Sequence, residues 1–203
     1  MSTLPRFEAI ALPRCLVVVP PLTDAEFEAF CLANDGLQIE RTKEGAIDMN
    51  PPTGRETSRA NIEISARLFN WWSVHRRGEV VDSNGGFYLS DGSMLSPDGA
   101  YLLPETLSGM IARKPGGLYT VRPDFVIELL SMSDSLAKTQ VKMERWIDNG
   151  VQLGWLIDPY RMRVIVYRPG AEVRIVAGKR LEGEWPMEGF VLDLAAIWNY
   201  YGE

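Results

Sequence analysis

Hydrophobic positions along the 203-residue chain fall into two patterns: short continuous runs, and stripes that repeat every three or four residues. The runs read as buried strands and the stripes as amphipathic helices. The most informative run is Phe125-Val126-Ile127-Glu128-Leu129-Leu130, set between Pro123-Asp124 and Ser131-Met132-Ser133-Asp134. Its length, its β-branched residues and its flanking breakers predict a central strand buried on both faces. Alternation puts Val126, Glu128 and Leu130 on one face and Phe125, Ile127 and Leu129 on the other. Glu128 is therefore expected inside the protein, where a carboxylate is costly unless a cation, a metal or several donors meet it. A partly exposed Glu near a strand end, paired with an arginine, is the ordinary alternative.

The same two periods predict the remaining elements. Thr23-Asp24-Ala25-Glu26 has the form of a capping box, and the helix after it should reach about Ala33 with Phe27, Phe30 and Cys31 inward. Leu37 to Arg41 and Ala46 to Met49 predict a hairpin around Lys43-Glu44-Gly45. After Pro51-Pro52-Thr53-Gly54 a long helix is predicted over about Arg55 to Arg77, its stripe formed by Asn61, Ile64, Leu68, Trp71 or Trp72, and His75. Arg55, Arg59 and Glu63 fall four apart beside that stripe, which suits either a solvated ion-paired face or one wall of an anion-binding cleft. Glu79 to Asp82 reads as a strand, and Gly86 to Leu89 and Met94 to Ser96 flank a hairpin turn at Ser90-Asp91-Gly92-Ser93. Ser96-Pro97-Asp98 opens another apolar strand, where Asp98 taken alone is a turn residue. A short helix and a loop are predicted over 104 to 121. Ser133-Asp134-Ser135 caps a second long helix, about Leu136 to Asn149, with Leu136, Gln140, Met143 and Ile147 on one stripe and Lys138, Lys142 and Trp146 on another. Val151 to Asp158 is a further core strand, Arg163 to Arg168 and Glu172 to Ala177 form an antiparallel pair, and Asp193 starts a terminal helix.

Composition narrows the classes. At 46% hydrophobic and 24% charged residues the chain is of globular composition, and its length suits one sizeable domain. No apolar run approaches the roughly 18 residues of a membrane span, and Met1 to Pro13 lacks a signal-peptide pattern, so a cytoplasmic protein is expected. Cys15 and Cys31 give neither a disulfide framework nor zinc-ligand spacing. The single histidine, His75, excludes multi-His metal sites, and its place at a helix end suits a structural surface role. A net charge of −6 argues against a protein that coats nucleic acid, although a carboxylate cluster for a metal would itself add negative charge.

Asp98 and Glu128 are separated by what reads as a strand, a crossover and a strand. Acids on adjacent strands can share a hard cation such as Mg²⁺, which takes a few carboxylates and keeps several waters. Such an ion turns water into a nucleophile and stabilises charge building on a phosphate. Lys142, on the helix behind Glu128, is placed to orient or deprotonate that water, or to neutralise the charge on phosphorus.

In order and spacing these residues resemble the Uma-two family of proposed restriction endonucleases, of the PD-(D/E)XK nuclease superfamily and abundant in cyanobacteria. The resemblance runs through Pro52-Thr53-Gly54 with Asn61 and Glu63, and Gly86-Phe87 with Leu89 and Gly92 ahead of Ser96-Pro97-Asp98. It continues through Pro123 to Leu129 with Ser131, Ser133 and Asp134, then Lys142-Met143 and Asp148-Asn149-Gly150. It closes with Leu153 to Pro159 and Tyr167-Arg168-Pro169-Gly170. It implies an α/β (α+β) restriction-endonuclease-like core, a mixed sheet flanked by helices. A single domain over 1–203 is expected, with 1–50 as an N-terminal helix-and-hairpin extension.

The resemblance further implies hydrolysis of DNA phosphodiester bonds with Mg²⁺ or Mn²⁺, in a homodimer whose two sites address two strands. Asp98 would be the motif aspartate, Glu128 the motif acid and Glu63 the helix-borne acid, all three toward the metal. The superfamily's lysine two residues after the acid is Leu130 here, so Lys142 is the substitute, with Gln140 beside it. Arg55, Arg59 and Lys138 are the candidates for phosphate contact. The alternative is a nuclease-fold protein without the chemistry, acting as a nucleic-acid or protein binding module. Leu130 and the acidic charge point that way, as would exposure of several of the six Trp and seven Tyr.

Overall fold

The computed structural model describes residues 15–50, 52–110 and 117–202. The first 14 residues of the expected N-terminal extension, and 111–116 of the predicted loop, lie outside them. Six strands make a central sheet: β4 (Glu79–Asp82), β7 (Gly99–Leu102), β8 (Phe125–Leu129), β9 (Leu153–Asp158), β10 (Arg163–Tyr167) and β11 (Arg174–Ala177). Their spatial order is β11-β10-β9-β8-β7-β4. Within it β8 and β9 run parallel, linked by helix α4 (Leu136–Asp148), and the other neighbours are antiparallel. That parallel step is what a strand–helix–strand crossover produces.

β8 is an interior strand, buried at every position. The expected alternation holds: Phe125, Ile127 and Leu129 enter one core, while Val126 and Leu130 enter the core on the opposite face. The first face is covered by α2 (Arg55–His75) through Ala60, Ile64 and Leu68, and by α5 (Leu194–Asn199) through Leu194, Ile197 and Trp198. A hairpin that the sequence pattern did not reveal, β12 (Arg180–Glu182) with β13 (Val191–Asp193), adds Leu181 and Leu192 to it. α2 sits so close that a Cβ on Gly99 would lie 2.8 Å from Leu68 Cδ1, so any side chain there would have to displace the end of Leu68.

The second face is covered by α4 through Met143 and Trp146, both fully buried. Two predicted stripes therefore meet at the sheet: Met143 from one and Lys142 and Trp146 from the other. A smaller five-stranded sheet, in order β1-β3-β2-β6-β5, stands alongside. It comprises β1 (Cys15–Leu16), β2 (Gln38–Arg41), β3 (Ile47–Asn50), β5 (Phe87–Tyr88) and β6 (Met94–Leu95). Helix α1 (Asp24–Ala33) opens with the expected Thr23–Glu26 capping box and packs Phe27 against Ile39, Ile47 and Met94. A short α3 (Pro104–Ser108) completes the α-helices among the described residues. No helix among the described residues is long and apolar enough to cross a membrane.

Candidate active site

The site forms where β8 ends and β7 begins. Glu128, 5% exposed, points from β8 toward α4. There Lys142 and Trp146, one turn apart on the helix, both meet its carboxylate. The Trp146 indole donates to Oε1 at 2.8 Å, and Lys142 Nζ lies 2.9 Å from Oε1 and 3.0 Å from Oε2. Lys142 Nζ also donates to the Ser96 carbonyl at 2.8 Å and pairs with Glu40 Oε1 at 2.8 Å. An ammonium has three N–H donors, and these three partners take them all. The Ser96 amide in turn donates to Glu40 Oε1 at 2.8 Å, tying the small sheet to the start of β7.

Asp98 stands just ahead of β7, one step outward from the paired Gly99 and Ile127, which puts it across from Glu128. Its Oδ2 accepts the Leu129 amide at 2.7 Å and its Oδ1 accepts the Asn61 side-chain amide at 3.1 Å. Asn61 comes from α2, so each face of the sheet supplies one helix to the site. Burial raises the Asp98 carboxyl above its ordinary value, against the Leu129 amide, Lys142 and Asn61, which favour the charged form. Burial likewise raises Glu128 from an ordinary 4.5 to about 8; Lys142 opposes the rise, and Asp98 and Glu40 add to it. For Lys142 burial works toward neutrality, but Glu128 and Glu40 outweigh it and hold the ammonium well above the usual lysine range.

Asp98, Glu128 and Lys142 are thus brought together. Glu63 is not with them: its carboxylate accepts from Arg67 at 2.7 Å, continuing the four-residue series of Arg55 and Arg59 as an ion-paired face. Asn61, two positions earlier, is the α2 residue that reaches Asp98. Gln140 lies against the Tyr167 hydroxyl on the α4 side. Arg55 and Lys138 are exposed, and Arg59 lies over the Tyr200 ring at 4.3 Å. His75 is exposed at the end of α2, its Nδ1 2.7 Å from the Trp71 carbonyl oxygen. Glu40 is the acid that sequence reasoning passed over. Its strand, Gln38–Arg41, carries none of the motifs on which the family resemblance rests, and its partners Ser96 and Lys142 are remote in sequence.

Among the described residues no three Asp, Glu, His or Cys side chains form a ready-made metal cluster. The donor set is nevertheless that of a hard cation with most of its water retained: Asp98, Glu128 and the Asn61 amide oxygen. Asn61 Oδ1, the other atom of the amide whose Nδ2 meets Asp98, is buried without a hydrogen-bond partner among the described residues, a condition that an ion or a bound water would relieve.

A mixed central sheet flanked by helices on both faces defines an α/β class of fold. In agreement, the structure is similar to a solved one described as "a putative nuclease belonging to DUF820" from Anabaena variabilis ATCC 29413. The TM-score is 0.66 at 21% sequence identity, over 80% of this chain and 90% of that one. The chain belongs to the Uma2 family, described as "Putative restriction endonuclease", whose family model matches residues 24–195. That match takes in α1 and the β2–β3 hairpin as well as the central sheet. No curated protein matches the sequence.

Proposed function

We propose that the protein is a metal-dependent endonuclease that hydrolyses DNA phosphodiester bonds at the Asp98–Glu128–Lys142 site. The observation that carries this reading is the charge balance there: among the described residues Lys142 pairs with both Glu40 and Glu128, and its charge is felt by Asp98 as well. Asp98 and Glu128, with Asn61 Oδ1, would hold Mg²⁺ or Mn²⁺, which supplies a water nucleophile at neutral pH and charge stabilisation on the phosphate. Asp98 is aimed by its bonds to Leu129 and Asn61, so its oxygens need no reorganisation on binding. Lys142 sets the charge and position of Glu128, and reaches a water or a phosphate oxygen by releasing one of its three present partners. Glu40 positions Lys142, which makes the N-terminal hairpin a working part of a single 1–203 domain. Arg55 and Lys138 are free to turn toward phosphates, and a cytoplasmic homodimer would address both strands.

A second reading, a nuclease-fold binding module without chemistry, is favoured by Leu130. Its side chain is 4% exposed in the core where the superfamily motif carries lysine, and Lys142 is fully engaged elsewhere. Nicking of supercoiled plasmid, and cleavage of short duplex and single-stranded DNA, with Mg²⁺ and Mn²⁺ separates the two. The enzyme reading expects metal-dependent cleavage that falls by about two orders of magnitude or more in Asp98→Asn. Cleavage absent from the wild type, with no metal binding by calorimetry, leaves the binding module.

A further inference from the structure

Two independent routes lead from Asp98 to the same pair of aromatic rings. Along the sheet, Leu129, whose amide holds Asp98, lies opposite Ile157 on the parallel strand β9. The chain leaving that strand turns at Pro159–Arg161 and presents Tyr160 at the same end of the sheet, 43% exposed. Along α2, Asn61 lies one turn after Thr57. The hydroxyl of Thr57 accepts from the Tyr201 hydroxyl at 3.2 Å. The Tyr201 and Tyr160 rings then meet edge to face, with centroids 5.4 Å apart and planes at 81°. Beside them Arg59, two residues after Thr57, covers Tyr200.

This ledge is built to present a ring and not to cradle a phosphate. Three acids, Asp134, Glu56 and Asp158, act on the Tyr160 hydroxyl. The arginine of the same turn, Arg161, is committed to Asp158 at 3.3 Å. An exposed ring braced by a second ring, with an arginine-covered tyrosine adjoining, offers stacking at little cost in side-chain freedom. Every nucleobase has a face for it, but a base inside a duplex already spends both faces on its neighbours.

Resting on the nuclease reading, we propose that Tyr160, braced by Tyr201, is a stacking platform for an unpaired nucleobase. The substrate class of the site is then nucleic acid with a single-stranded or extruded nucleotide next to the bond cut. The test uses the full chain carrying Asp98→Asn, with Mg²⁺ present. It binds a fluorescein-labelled single strand of about 12 nucleotides, the same sequence as duplex, and a single strand carrying 2-aminopurine. Tyr160→Ala is expected to weaken single-strand binding about 5- to 150-fold and to abolish the stacking quench of 2-aminopurine. Tyr160→Phe should stay within about twofold of the parent, and duplex affinity should not move. Equal single-strand affinity in parent and Tyr160→Ala overturns the ledge. So does a loss in Tyr160→Phe as large as in Tyr160→Ala, which would make the hydroxyl the contact. A parent that binds nucleic acid but is indifferent to Tyr160 sinks this inference alone; a parent that binds none sinks the nuclease reading with it.

Discussion

β8 and β9 lie side by side, and each carries a buried carboxylate: Glu128 within one strand, Asp158 at the end of the other. Their surroundings are out of balance in opposite directions. Asp158 receives the Arg161 and Arg163 side chains at 3.3 and 3.1 Å and the Arg161 backbone amide at 3.2 Å, so two guanidiniums serve one carboxylate. Glu128 shares its one lysine with Glu40 and feels Asp98 as well. Burial does not distinguish the two, since both are nearly inaccessible. The surplus does. A carboxylate with excess cations is held as structure, whereas acids held together around too few cations have lone pairs and negative field left for a ligand. The fold tolerates this through neutral donors: the Trp146 indole and the Leu129, Ser96 and Asn61 N–H groups.

The largest expected effect comes from Lys142→Met, which removes the cation that, among the described residues, pairs with both Glu40 and Glu128. Unpairing a buried ion pair of this kind costs about 3–5 kcal/mol, which urea denaturation at about pH 9, above the Glu128 value of about 8, will read. Adding Glu128→Gln should recover part of the loss, because the amide oxygen still accepts from Trp146 and needs no cation. A Lys142→Met protein as stable as the wild type would break the argument from charge balance. On the Asp158 side, Asp158→Asn should cost less, about 1–3 kcal/mol. Arg161, with its side chain 58% exposed, and Arg163, at 24%, can turn to water when their partner goes. Plasmid nicking should be unchanged in this variant; a folded Asp158→Asn protein that no longer nicks would erase the distinction between the two clusters.

The parts of this contrast that were legible in the sequence are those written in local pattern. β8 announced itself by length, β-branched residues and breakers, and its period of two placed Glu128 opposite the Phe125 face. Lys142 and Trp146 fell on one stripe of α4, four apart, and both do reach Glu128. Which way that stripe faced was not legible, because Met143 from the other stripe is buried too. Glu63 was misleading for a readable reason: Arg67 follows it by four, an ordinary helical ion pair. Asn61 read as the polar start of an apolar stripe, and only the approach of β7 to α2 gives it Asp98 as a partner. Glu40 had no local signal at all. Gln-Ile-Glu-Arg alternates like any half-exposed edge, and the pairing of Arg41 with Met94 that carries it to Ser96 is a long-range event. The concern that many aromatics might form a partner surface also resolves by residue: Trp146, Trp155 and Trp198 are buried, while Trp185 is 49% exposed.

The finest test of the contrast is the pH dependence of stability, small in any one step but specific in sign. Glu128 is raised from 4.5 to about 8 in the folded protein, chiefly by burial. Across that window the folded state keeps a proton that the unfolded chain has released, so stability falls as pH rises from about 5 to 8. One such group contributes at most about 1.4 kcal/mol per pH unit. Lys142 does not enter this window. Its folded value is raised above the ordinary 10.5, so its stabilisation is complete below 10.5 and is lost only at higher pH. Lowered carboxyls such as Asp91 act at the acid end, losing their contribution as pH falls below their ordinary value of 3.8. Urea denaturation at pH 5, 6, 7 and 8 in metal-free buffer should therefore give a declining series for the wild type. Glu128→Gln should flatten the series, and Asp158→Asn should leave its slope alone. A wild-type curve that is flat or rising, and parallel to that of Glu128→Gln, would mean that Lys142 already neutralises Glu128. The two buried carboxylates would then differ in their partners but not in their charge balance.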